Sequence, residues 1–350
     1  MKTRSETLHP TNSTAPNVSG ASLLVIGLAG EGALALCELN AQTGDISLLD
    51  KVELPDVEGG CAGMPVSVNR AGSRVYAGWR GEKPRVFSFE LDRQACSLTC
   101  LGQADLPEGV CYAVPASCES RLLSSSYKGS KITISPIDAQ GKVGEPVMIK
   151  DAQHAHCLVE APNGFVYATS LRGDFIQTYV FDDTRSSLRP VARREVPSGS
   201  GPRHIVFSDD GAVAYLVSEF VGTLTLFDVV AKTGALNPKQ TIALLPEGEK
   251  AWASEICVTP SGDFLYASER NSSQIFGCRL KANREMERVC AVKAPECPRA
   301  FCVDPSGRVL VALGEKSGEA WTYQIGPSGD LDFVSHVNVG VAPSWVAAVS

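Results

Sequence analysis

Residues 201–220 read GPRHIVFSDDGAVAYLVSEF. Inside them, SDDG (208–211) is a polar turn ending in glycine, set between the alternating runs RHIVFS and AVAYLV. Alternation of apolar and polar residues on either side of such a turn is the pattern of a β-hairpin. The design recurs in NRAGSRVYAG (69–78), APNGFVYATS (161–170), TPSGDFLYAS (259–268) and DPSGRVLVAL (304–313). Its glycines, Gly72, Gly164, Gly211, Gly262 and Gly307, are separated by 92, 47, 51 and 45 residues, and the first interval is twice 46. A sixth copy is therefore expected near residue 118, where ASCESRLLSS (116–125) has the same shape with its glycine replaced.

A third alternating run follows each hairpin, as in TLTLFDV, KITISPI and QIFGCRL, and helical periodicity is almost absent. Several short strands repeating every mid-forties residues are the mark of a propeller blade, which buries its faces only by stacking on its neighbours. SLLVIGLAGEGALALCELN at the start lacks an inner strand, and APSWVAAVS at the end lacks outer ones. Joined, they make one more blade. The expectation is an all-β, seven-bladed β-propeller with four antiparallel strands per blade, its N- and C-terminal strands closing one blade as a single domain over residues 21–350.

Residues 1–20 are polar and expected to form a disordered tail. The basic start before SLLVIGLAG resembles a signal peptide, but Glu31 interrupts the run and no A-x-A pattern follows, so it is read as a strand. No segment reaches the length of a membrane helix. GLAGEG (27–32) departs from the dinucleotide-binding glycine spacing and no helix follows it. A net charge of −7 argues against nucleic-acid binding. Twelve cysteines, none in C-x-x-C spacing, with Cys157, Cys257, Cys278 and Cys302 in apolar strands, read as reduced core residues of a cytoplasmic protein. No metal or organic cofactor is expected, and the chain is read as a monomer or weak homodimer without nucleic-acid or membrane partners.

In a blade, the start of the innermost strand and the end of the second strand meet at the pole opposite the glycine turn. Arg203, His204 and Glu219 share that pole. Neighbouring blades bring His154 and His156, Glu255 and Arg270, Arg299, Tyr127 and Lys128, and Arg80 to it. Any one of these is ordinarily a solvated strand-end residue. Several arginines converging in an acidic protein instead make a positive funnel for an anionic ligand. His336 falls outside this pole and is read as structural.

The linked motifs GPRHIVF…YLVSEF, HAHCLVEAPNGFVYATSL, SEICVTPSGDFLYASER, CPRAFCVDPSGRVLVA and the final APSWV resemble the seven-bladed lactonase propellers, from about residue 22 to 350. That family includes bacterial 6-phosphogluconolactonases and the fungal 3-carboxy-cis,cis-muconate lactonizing enzyme, and VYAGWRGEKPRVFSFELD and KAWASEI lean toward the former. The resemblance implies His156, Arg203, Glu219 and Arg270 as catalytic residues. Arg80, Tyr127, Lys128, His154, His204, Glu255 and Arg299 are the substrate-binding candidates. Cys257 stands where many members have histidine, Lys128 where a small or amide residue is commoner, and Ser170 where aspartate is frequent. The expected substrate is a small anionic lactone, with Glu219 or His156 as base, Arg203 and Arg270 on the carbonyl side, and Arg80, Lys128 or Arg299 on a phosphate. A carboxymuconate cyclase is the second reading and a non-catalytic binding propeller the third.

Overall fold

The computed structural model describes residues 21–182 and 186–349. The expected tail, 1–20, lies outside them. The described residues contain no helix, and their strands form seven four-stranded antiparallel sheets. In chain order, blades 2 to 7 span 66–105, 112–151, 155–195, 202–243, 253–293 and 298–338. Blade 1 is composite. Its innermost strand is Pro343–Val349, which pairs antiparallel with Ala21–Leu28, followed outward by Ala33–Asn40 and Ile46–Glu53. The two ends thus close the ring through register pairs such as Val25 with Ala347.

All six hairpin turns appear where the spacing places them. Gly72, Gly164, Gly211, Gly262 and Gly307 have φ between 64° and 81°, and each donates its N–H to the carbonyl three residues earlier. Glu119 holds the vacant sixth position with φ 54° and donates likewise to Ala116. Glycine takes this left-handed conformation without a steric cost, whereas glutamate pays about 1 kcal/mol or more for it.

Burial is greatest in the second strands and falls toward the periphery. The second strand Val213–Ser218 is buried at every residue, because neighbouring blades cover both its faces. The outermost strand, Leu236–Ala243, is largely exposed on alternate residues. Tyr167, Tyr215 and Tyr266 occupy matched places in second strands and donate their hydroxyls to the carbonyls of Gly234, Arg284 and Gly329 in the next blade, at 3.0 Å each. A buried tyrosine needs such an acceptor, so the same ring that fills the core also ties successive blades together.

Candidate active site

The pole opposite the glycine turns carries the predicted residues, by a device that the alternation did not reveal. Five innermost strands slip register near their first residues, so that one or two residues have no partner on the second strand. The residues left out are Ser344 in blade 1, His156 in blade 4, Arg203 in blade 5, Ser254 and Glu255 in blade 6, and Arg299 in blade 7. His156, Arg203 and Arg299 therefore lie within their strands rather than ahead of them. A bulge turns such a side chain off the pleat. The freed backbone is satisfied by the preceding blade: Cys111 Sγ, Thr169 Oγ1 and Ser254 Oγ donate to the carbonyls of His156, Arg203 and Arg299.

Three clusters surround the mouth. In the first, Glu219 Oε2 lies 3.0 Å from Arg203 Nε and 3.1 Å from Arg270 Nη2, while Oε1 accepts the Trp252 indole N–H at 3.1 Å. Arg203 also donates Nη1 to Ser254 O at 2.7 Å and is 2 % exposed. Arg270 donates to the carbonyls of Trp252 and Ala253, and its guanidinium carbon lies 3.9 Å from the centre of a Trp252 ring. Burial, with Arg203 beside it, pulls the Arg270 pKa down to about 10.

The second cluster centres on the histidines. The His156 ring lies 5.1 Å from that of His204 and 6.3 Å from Tyr127, and Tyr127 lies 5.7 Å from His154. Arg172 donates Nε to the Tyr127 hydroxyl at 2.6 Å. Lys128, which follows Tyr127 in the chain, is exposed. His154 has φ 47°, and with the bulge at His156 the two side chains no longer follow the i, i+2 alternation of a plain strand. Nδ1 of His156 is buried with no hydrogen-bond partner among the described residues. Burial first, then the positive field of Arg203 and of His204 if charged, holds the His156 pKa well below its ordinary value. Burial and Arg203 lower His204 as well, against the pull of Glu255, whose Oε1 lies 2.7 Å from His204 Nδ1. His204 and Glu255 face a central cavity of about 350 Å³, which Tyr112 and Trp345 also line.

In the third cluster, Arg299 Nη1 lies 2.5 Å from Glu315, and Arg80 Nη1 donates to Ala62 O at 3.3 Å. Both arginines approach Gly63, in the connection between blades 1 and 2. His336 lies apart, largely exposed on the outermost strand of blade 7.

The three clusters bring together four arginines (80, 203, 270 and 299) and three glutamates (219, 255 and 315), around a neutral imidazole with a vacant nitrogen. Such a set attracts an anion, can stabilise an oxyanion and can accept a proton. Trp252, Gly63, Tyr112 and Trp345 were not singled out from the sequence. Trp252 lies in KAWASEI, and its indole was legible only as an amphipathic ring near a pole.

The family model described as a seven-bladed β-propeller lactonase matches residues 24–348. The 6-phosphogluconolactonase of Pectobacterium atrosepticum is 32% identical over 320 residues, covering 89% of this chain and 94% of its own. That of Sodalis glossinidius is also 32% identical, over 315 residues, covering 88% and 93%. The structure of the Pseudomonas aeruginosa periplasmic gluconolactonase superposes with a TM-score of 0.85 at 22% identity, over 94% of this chain and 99% of that one, a likeness of fold. With the composite first blade and the matched motifs, these similarities make the chain a member of the seven-bladed β-propeller lactonase family.

Proposed function

We propose that the protein hydrolyses 6-phosphoglucono-1,5-lactone to 6-phosphogluconate. Membership of the lactonase family and relatives named for this activity support the reaction. The observation that carries the mechanism is His156, an imidazole kept neutral among arginines with one buried nitrogen unused. In this reading His156 takes a proton from water as the water oxygen bonds to the lactone carbonyl carbon. Negative charge develops on the carbonyl oxygen and is stabilised by Arg203 and Arg270. Collapse of the intermediate breaks the ring C–O bond, and the His156 imidazolium returns its proton to the departing ring oxygen to give the hydroxyl. The new carboxylic acid loses its remaining proton to solvent. Both oxygens of Glu219 are engaged by Arg203, Arg270 and Trp252, so its part is to fix the guanidiniums rather than to act as base.

Tyr127 and His154 edge the same mouth and bound the sugar in this reading, with Arg172 fixing Tyr127. His204 and Glu255 position Arg203, whose Nη1 lies 3.2 Å from both ring nitrogens of His204. We take residues 21–350 as one domain acting as a monomer or weak homodimer in the cytoplasm. The cysteines of the described residues are unpaired, as a reducing compartment favours. No described helix is long and apolar enough to cross a membrane. The test is hydrolysis of freshly prepared 6-phosphoglucono-1,5-lactone, glucono-1,5-lactone and a carboxymuconolactone, with spontaneous hydrolysis subtracted. Turnover of the first above the other two supports the reading. Turnover of the carboxymuconolactone alone overturns it.

A further inference from the structure

The connection between blades 1 and 2 brings a bare Cα against two cations of this pole. A Cβ placed on Gly63 would stand 2.8 Å from Arg299 Nη2 and 3.1 Å from Arg80 Nη1, so both guanidiniums close on one point. The backbone there has φ 146°, a conformation that disfavours any side chain. The segment is pinned on both sides of Gly63: Cys61 N–H donates to Ala29 O at 2.7 Å, and Met64 N–H to Ser344 Oγ at 2.9 Å. Its position is therefore built rather than incidental.

The charges in this corner do not cancel. Glu315 answers Arg299, but Arg80 has only the Ala62 carbonyl and no carboxylate partner among the described residues. Burial lowers the Arg80 pKa, and the proximity of Arg299 adds to that effect. Two partly buried guanidiniums held side by side repel each other unless an anion lies between them. A phosphate group offers several acceptor oxygens to such a pair, and guanidinium forks match it.

We propose that Arg80 and Arg299, spread over Gly63, form the subsite for the substrate's distal phosphate, and that Gly63 determines specificity for a phosphorylated lactone. This rests on the lactonase reading for the identity of the substrate. It singles out Arg80 and Arg299 over the exposed Lys128, and it makes the absence of a side chain at residue 63 a requirement.

The experiment compares wild type, Arg80→Gln and Gly63→Ala on 6-phosphoglucono-1,5-lactone and glucono-1,5-lactone. Calorimetric binding of 6-phosphogluconate, gluconate and inorganic phosphate runs in parallel. Loss of a charge-assisted contact to phosphate should lower kcat/KM on the phosphorylated lactone by about 10–100-fold, mostly through KM. The loss on the unphosphorylated lactone should be smaller, because neither residue contacts the reacting carbonyl in this reading. The ratio of kcat/KM between the two lactones should therefore fall by about 10-fold or more. Binding of 6-phosphogluconate should weaken in step, and gluconate binding should not change. Equal losses on both lactones, or no loss on either, overturn the proposal. So does wild-type binding of inorganic phosphate without any preference for 6-phosphogluconate over gluconate. If wild type hydrolyses neither lactone, the lactonase reading fails, and the subsite then stands or falls on the binding measurements. Should Arg80→Gln not fold, as read by thermal melting, Gly63→Ala decides alone.

Discussion

Nε of Arg203 stands 3.0 Å from Oε2 of Glu219, and both side chains are almost wholly withdrawn from water. Arg270 shares the same oxygen. Removing the carboxylate charge leaves two buried guanidiniums uncompensated. Glu219→Gln should therefore cost about 3–5 kcal/mol of stability, read as a lower urea midpoint, together with reduced activity. A variant as stable as wild type but inactive would instead assign Glu219 to the base.

His156 is the base in the proposed reaction, so His156→Gln should lower kcat by about 10²–10⁴-fold with a smaller change in KM. Because burial and Arg203 hold its pKa well below 6.5, the imidazole stays neutral through the neutral range. kcat/KM should be flat from about pH 6.5 to 8 and fall only at more acid pH. The acid limb of kcat should lie at higher pH than that of kcat/KM, since a bound anion offsets the arginines and favours the imidazolium. A limb in kcat/KM above pH 6.5 would mean that another group is the base.

The same depression acts on folding. His156 and His204 both have folded pKa values below those of the unfolded chain, so the unfolded chain binds more protons as pH falls through about 6.5. Their contribution is fully present above that pH and is lost progressively below it, at up to about 1.4 kcal/mol per pH unit for each histidine. Urea unfolding at several values between pH 7.5 and 5.5 reads the slope. His156→Gln should reduce it by about half, and an unchanged slope would remove His156 from the account.

Arg203→Lys keeps the charge that faces Glu219 but loses the planar guanidinium, whose Nη1 donates to Ser254 O. Arg203→Ala should lower kcat by about 10²–10³-fold, more than it raises KM, and lysine should restore only part of that. The assay is steady-state kinetics on variants shown by circular dichroism to be folded. A kcat within about twofold of wild type for Arg203→Ala would take Arg203 away from the reacting centre.

The ring was legible because its turns demand a particular backbone. Gly72, Gly164, Gly211, Gly262 and Gly307 share a left-handed conformation, so their spacing carried the repeat, and Glu119 shows the same conformation in the place without glycine. The pole was legible because antiparallel strands bring Glu219 back beside Arg203. The bulges were not. An extra residue in a strand leaves the apolar pattern of RHIVFS almost intact, and only pairing shows that Arg203 has no partner. Nor was Gly63, because its importance lies in its distance from Arg80 and Arg299, whose sequence positions are far away. The exposure of Lys128, next to Tyr127 in the chain, against the burial of His156 likewise depends on packing that alternation does not encode.

The slipped register has one more result. A residue that has no partner across the ladder carries its side chain to the pole without taking part in the pairing, so residues 156, 203, 254, 299 and 344 are matched sockets on a common frame. Histidine, arginine and serine already occupy the same socket in different blades. A propeller built this way can acquire a new substrate by swapping what its sockets hold, while the hairpins, the tyrosine ties and the closure of the first blade stay as they are.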